Sequence, residues 1–234
     1  MKAFLLAAGL GTRLRPITDS IPKCLVEVGG RPMLDIWLDA LAKAGVHEVL
    51  VNTHHLPGLV EAHVAERFSP PAVRLSHEPV LLGSAGTLLA HRDFVAGEDM
   101  FLAVYADNLT DFDLRVLIDA HTAGSEIATL AVFRAPHPKQ CGIVELDDED
   151  RVVDFVEKPE NPPSDLANAG MYAFHPSVLS EVPRSLPRDI GFDLLPRLVG
   201  RMKAVRVGNC SFLDIGTTAA LERARREWEG GSTP

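Results

Sequence analysis

The stretch Leu5-Leu6-Ala7-Ala8-Gly9-Leu10-Gly11-Thr12-Arg13-Leu14-Arg15-Pro16 decides how this chain is read. It grows out of the apolar run 2–8, which is too short to span a membrane and has no signal-peptide cleavage site, so the run reads as a buried strand. Gly9 and Gly11 permit unusual backbone angles and carry no side-chain bulk, so successive N–H groups, from Ala7 and Ala8 onward, can point at phosphate oxygens. Thr12 adds a hydroxyl donor and Arg13 a planar fork suited to phosphate. Lys23, following Pro22, supplies a second cation for the same phosphates. The stretch lacks the GK[ST] ending of a Walker loop and the third glycine of a dinucleotide fingerprint, which weakens both of those readings, a dehydrogenase included.

Outward from this loop, short apolar runs alternate with amphipathic stretches, a rhythm of βα units on a mostly parallel sheet. Strands are expected at 2–8, 48–53, 73–77 and 100–105. Met33, Ile36, Trp37, Ala40, Leu41 and Ala44 recur at helical spacing, as do Leu59, Val60, His63 and Val64. Further helices are expected at 85–92 and at 113–123, the latter opened by Asp113. Residues 127–134 and 142–157 are rich in Val, Ile and Leu, with Asp147-Asp148-Glu149-Asp150 as the polar turn of a hairpin. The Pro-rich stretches at 157–164 and 183–187 read as ordered loops. One domain over 1–229 is expected, with 1–125 mainly for nucleotide, 126–229 mainly for sugar phosphate, and 230–234 a mobile tail.

Composition bounds the function. Of 234 residues, 46% are apolar and 24% charged, the balance of a soluble globular protein. The formal net charge of −9 argues against nucleic acid, whose binding draws on Lys and Arg. A small phosphate ligand needs only a local basic cluster. Cys24, Cys141 and Cys210 lie far apart without CxxC spacing, which supports neither a disulfide framework nor structural zinc and fits a reducing cytoplasm. His54, His55 and His63 do not form HExxH, and no GxSxG elbow is present.

The whole string from Gly9 to Lys23, G-x-G-T-R-x-x-P-x-T-x-x-x-P-K, resembles the signature of the sugar-phosphate nucleotidylyltransferases, and the likeness extends over nearly the entire chain. It implies a Rossmann-like nucleotidyltransferase fold, a mixed and mostly parallel central sheet flanked by helices with a small β-rich sugar-binding part. It also implies attack by a sugar-phosphate oxygen on the α-phosphorus of a nucleoside triphosphate, with release of pyrophosphate and no covalent enzyme intermediate. Such a displacement needs positioning and charge neutralisation, with Arg13 and Lys23 as the catalytic cations.

The resemblance assigns Mg²⁺ to Asp107, which ends an apolar strand, and to Asp214 in Phe212-Leu213-Asp214-Ile215-Gly216-Thr217. An acid in either place is otherwise an ordinary turn or cap residue, and Asp214 could cap the helix running from Thr217. The segment from Glu78 to Thr87 resembles the second nucleotide contact, with Gly83 letting the chain approach the base and Ser84 beside it. Thymidylyltransferases tend to carry Gln near its start; the carboxylate of Glu78 can accept two N–H bonds from guanine, which favours GTP while leaving UTP and dTTP open. Glu157 and Lys158 resemble the EKP motif for sugar hydroxyls and phosphate, Asn168 the NAG[ILM]Y segment, and Gly142 a glycine whose backbone meets the sugar. Asp189-Ile190-Gly191-Phe192-Asp193 reads as a cap with the character of a substrate lid.

The likeness is closest to short, single-domain members similar to mannose-1-phosphate guanylyltransferases. The implied partners are an NTP and a sugar 1-phosphate, mannose or a manno-configured heptose being favoured; a homodimer stays open, and a membrane partner is not expected. A non-catalytic nucleotide-binding regulatory subunit is the rival from another class, disfavoured because Gly11, Arg13, Lys23, Asp107, Lys158 and Asp214 are all present.

Overall fold

The apolar run at the N-terminus forms strand β1 (Lys2–Leu6), with Ala3, Phe4 and Leu5 fully buried, in a computed structural model that describes residues 1–184, 187–208 and 210–228. Residues 229 and 230–234, the latter expected as a tail, lie outside the described residues. The strand stops two residues short of the expected 2–8. The reason is a side chain: Ala7 donates its N–H to Asn52 Oδ1 at 2.7 Å instead of to a neighbouring strand.

Strands β2 (Glu27–Val28) and β3 (Arg31–Pro32) make a small antiparallel ribbon, turned at Gly29 and Gly30 with φ of 59° and 73°, angles that favour glycine. Helix α1 (Met33–Lys43) follows and buries Met33, Leu34, Trp37, Leu38 and Leu41 along one stripe. Then come β4 (Glu48–Thr53), α2 (Pro57–Ala65) with proline in its first turn, and β5 (Ala72–His77). Next are α3 (Ser84–Ala90), β6 (Phe101–Tyr105), β7 (Asn108–Thr110) and α4 (Leu114–Ala123).

The second half is richer in strands, as its Val and Ile content implies. It contains β8 (Ala128–Arg134), β9 (Gly142–Leu146), β10 (Val152–Glu157) and β11 (Leu166–Phe174). After a widened helical turn over Ile190–Leu194 come α5 (Leu195–Leu198), β12 (Met202–Arg206), β13 (Phe212–Asp214) and α6 (Thr218–Glu227). The expected hairpin is β9–β10, paired antiparallel from Gly142–Glu157 to Leu146–Val152. Asp147 closes its turn, accepting from the N–H groups of Glu149 and Arg151 through Oδ1.

The chain forms two compact units. One comprises 1–2, 82–104 and 114–209, the other 3–81, 105–113 and 210–234. The sequence reading placed a functional division at 125/126; the chain passes between units at 2/3, 81/82, 104/105, 113/114 and 209/210.

In the first unit β11 is the organising strand. It pairs antiparallel with β8 along one edge and with β9 and β6 along the other, while β12 runs parallel to β8 and β10 extends beyond β9. Met171, Tyr172, Ala173 and Phe174 on β11 are fully buried, and the rings of Tyr172 and Phe174 stack 5.2 Å apart. In the second unit β1, β4 and β5 lie side by side, with β4 and β5 parallel from Glu48–Ala72 to Thr53–His77. A separate antiparallel pair, β7 with β13, sets Asn108 opposite Asp214.

Candidate active site

The loop after β1 is held from beneath by buried polar side chains. Asn52, 4% exposed near the end of β4, accepts from Ala7 N–H and donates its Nδ2 to Glu78 Oε1 at 2.9 Å. Only one orientation of the amide satisfies both neighbours, so its O and N positions follow from the network. His54 Nδ1 lies 2.6 Å from the Glu78 carbonyl oxygen, which makes that nitrogen the donor.

Gly11 has φ of 63°, and a Cβ there would stand 2.8 Å from Thr18 Cγ2, so both backbone angle and packing require glycine. Thr18 is buried and donates its hydroxyl to the Gly11 carbonyl at 2.8 Å, while His55 Nε2 donates to the Thr18 carbonyl at 2.7 Å. Among the described residues the N–H groups of Gly9, Gly11, Thr12 and Arg13 meet no protein acceptor.

Around this loop the second unit gathers most of the expected charged residues. Lys23, 9% exposed, packs its Cβ close to Gly11 and donates Nζ to Asp107 Oδ2 at 2.7 Å. The Asp107 carbonyl accepts from Ile215 N–H at 3.1 Å, which ties the turn after β6 to the end of β13. Asp214, on β13, accepts from Gly216 N–H through Oδ1 at 2.6 Å, and Arg13 Nη2 lies beside the same glycine. Asp214 does not cap α6; Thr217 does, accepting from Ala220 N–H.

Two carboxylates on hydrogen-bonded neighbouring segments offer the hard oxygen donors Mg²⁺ takes, in the small number it needs when it keeps waters and shares substrate phosphates. Among the described residues no group of three or more His, Cys, Asp or Glu is placed to hold a metal. The donor set therefore fits magnesium shared with phosphate and not a closed protein cage.

The first unit assembles the residues expected for sugar phosphate. The Glu157 carboxylate lies between two glycines: a Cβ at Gly142 would be 2.5 Å from its Oε2, and one at Gly191 2.4 Å. Burial raises the Glu157 carboxyl above the ordinary range, with Lys158 opposing and Asp189 adding to the rise. Lys158 has φ of 49°, and its Nζ sits 3.9 Å from Glu157 Oε1 and 5.5 Å from the centroid of the exposed Phe192 ring. Asn168 donates Nδ2 to the hydroxyl of fully buried Tyr172 at 2.7 Å and accepts from Gly170 N–H. Burial pushes the Tyr172 phenol well up, keeping it a neutral acceptor.

Four of the residues expected to meet nucleotide are engaged with protein groups. The Ala7 N–H is donated to Asn52 Oδ1. Glu78 is 3% exposed and braces Asn52 through Oε1, so the carboxylate serves the loop. Gly83, with φ of 79°, makes room for protein backbone: a Cβ would stand 2.1 Å from the Arg188 carbonyl oxygen. Ser84 donates its hydroxyl to Asp189 Oδ2 and accepts from Ile190 N–H, both at 2.8 Å. Asp189 also caps its turn, accepting from Gly191 and Phe192 N–H through Oδ1. Sequence reasoning missed Asn52 and Gly216, and Thr18 stood in the quoted signature without a role of its own. The one available signal was polar Asn52 and Thr53 closing an otherwise apolar strand.

A family model described as nucleotidyl transferase matches residues 2–230. The chain is 35% identical over 203 residues to a protein described as probable mannose-1-phosphate guanylyltransferase 1 of Oryza sativa subsp. japonica, covering 85% of this chain and 56% of that one. It is 33% identical over 233 residues to the UTP–glucose-1-phosphate uridylyltransferase of Synechocystis sp., covering 92% and 60%. It is also 33% identical over 242 residues to the mannose-1-phosphate guanylyltransferase of Mycobacterium tuberculosis, covering 99% and 66%. The chain thus spans 56%, 60% and 66% of the length of these three relatives. A solved structure from Bacillus anthracis, provisionally described as a glucose-1-phosphate thymidylyltransferase and crystallised with sucrose, superimposes with a TM-score of 0.82 at 24% identity, covering 97% of this chain and 94% of that one. The fold is therefore the expected one, a mixed central sheet flanked by helices in the Rossmann-like nucleotidyltransferase class.

Proposed function

The chain belongs to the nucleotidyl transferase family, and on that premise we propose that it transfers a nucleoside monophosphate from GTP to mannose 1-phosphate or a manno-configured heptose 1-phosphate, releasing pyrophosphate. The observation that carries the reading is the convergence, on one glycine loop with unengaged N–H groups, of Lys23, Asp107, Asp214 and Arg13. Guanine is supported by similarity to guanylyltransferases, since Glu78 is occupied with Asn52.

In this reading the loop amides, Arg13 and Lys23 hold the triphosphate and neutralise charge that builds on the departing pyrophosphate. Asp107 and Asp214 hold Mg²⁺, which when bound supplies further charge neutralisation at the phosphates. Lys158 holds the sugar phosphate, and Glu157 and Asn168 orient its hydroxyls. A phosphate monoester is largely doubly ionised at neutral pH, its second pKa being about 6. Its oxygen is thus already a nucleophile, and no general base is required of the protein. Lys23 begins paired with Asp107, so its movement toward the triphosphate and the release of that carboxylate are one event.

The test is a panel of GTP, UTP, dTTP, CTP and ATP with Mg²⁺ against a set of sugar 1-phosphates, read by pyrophosphate release. Turnover greatest with GTP and a manno-configured sugar is expected, and Lys23→Ala should remove most of it. UTP as the best donor would instead favour the uridylyltransferase reading, which the Synechocystis relative supports. Silence across the panel would favour a non-catalytic subunit.

A further inference from the structure

We propose that Gly216 is a positioning residue: the side chain it lacks leaves the space in which the Arg13 guanidinium and the Asp214 carboxylate stand beside each other without pairing. The inference rests on the function proposed above, in which Arg13 meets the triphosphate and Asp214 the metal.

A glycine can be demanded by its backbone angles, by the packing of a core, or by neither. Gly216 lies outside the left-handed region, so an L-residue could adopt its conformation. It accepts no core side chain either. A Cβ at this position would meet, as its three nearest atoms, Asp214 Oδ1 at 2.7 Å, Arg13 Nη2 at 2.9 Å and Asp214 Oδ2 at 3.2 Å. All three are the far ends of flexible side chains on exposed residues. Nor does the turn formed by Asp214 require glycine, because a carboxylate accepting the N–H two residues on places no limit on the side chain there.

An added methyl group therefore displaces the functional ends of Arg13 and Asp214 and little else. The backbone cannot retreat to make room, since fully buried Ile215 is tied to the Asp107 carbonyl. Among the described residues the Arg13 guanidinium has no hydrogen-bond or ion-pair partner, although the Asp214 carboxylate approaches the same point. Each group thus stays available, one for phosphate and one for a cation, where a closed ion pair would have used up both.

The experiment compares the parent, Gly216→Ala, Arg13→Ala and the double variant. Thermal melting, binding of the triphosphate selected by the panel (GTP if none turns over) in EDTA, and kcat/KM with Mg²⁺ are read for each. Gly216→Ala should melt within about 2 °C of the parent, lose about 100-fold in kcat/KM, and bind the metal-free triphosphate about tenfold more weakly. On the Arg13→Ala background the same substitution should change metal-free binding by less than about twofold, because the group it displaces is already gone. Equal losses on both backgrounds, no loss at all, or a large fall in melting temperature would each overturn the proposal. A parent that binds triphosphate yet turns over no sugar phosphate sinks the proposed function alone, since the metal-free titrations still decide the role of Gly216. A parent that binds no triphosphate overturns both.

Discussion

Asn52 carries more of the site than any residue the sequence singled out. Its amide links the Ala7 N–H to the buried Glu78 carboxylate, two groups far from it along the chain. Replacing it with leucine leaves polar groups without that partner in the interior, which costs about 1–3 kcal/mol. Asn52→Leu should therefore lower the urea midpoint and raise the KM for the nucleotide together; a variant with parental KM would show that the loop holds its shape unaided. The same link limits position 78. Asn52 needs an oxygen acceptor there, which Glu and Gln both present in the same place, so the Gln common in thymidylyltransferases would preserve the brace while exchanging one oxygen for an amino group. Lys23, Asp107 and Lys158 were singled out in the sequence by residue type and motif context, and the structure sets Lys23 against Asp107. Asn52 and Gly216 were not, because what matters about each is a neighbour distant in sequence, Glu78 for one and Arg13 for the other.

At the scale of elements, periodicity served well where one face is buried. Helix α1, strands β4 and β6 and the β9–β10 hairpin all lie where apolar runs or helical spacing put them, although α1 buries Leu34 and Leu38 where Ile36, Ala40 and Ala44 were expected. β11 and β12 were not anticipated as strands. β11 passes through Gly170 at φ of 70°, with a register irregularity between Asn168 and Tyr172, so its central residues do not alternate cleanly. Helix α6 gives an element-scale test. Its mean composition is polar, it buries Leu221 and Ala224, and the Thr217 hydroxyl satisfies one of its free N–H groups. Thr217→Ala should cost about 1 kcal/mol in denaturant unfolding, with Thr217→Ser recovering most of it. If alanine were neutral, the cap would contribute nothing to the placement of β13 and Asp214.

For the whole molecule, Glu157 sets a pH dependence with a definite sign. Burial holds its carboxyl above the ordinary 4.5, so the folded state keeps the proton longer than the unfolded chain does. The stability this contributes is complete below the unfolded value and is lost as pH rises through the folded value. Glu157→Gln removes that loss: relative to the parent, the variant should gain stability as pH rises through the unfolded value and on through the folded one, then level off, in urea midpoints measured across the range. Parallel curves would mean that the carboxyl titrates alike in both states. The division into two units was hidden from the sequence, because each unit is gathered from stretches far apart along the chain. Its consequence is one of inheritance. The first unit draws most of its residues from 114–209, but the second is completed only by the stretch from 210, which brings Asp214 and α6 to residues 3–81 and 105–113. No single cut yields either unit whole, so neither can be exchanged as one uninterrupted stretch of gene.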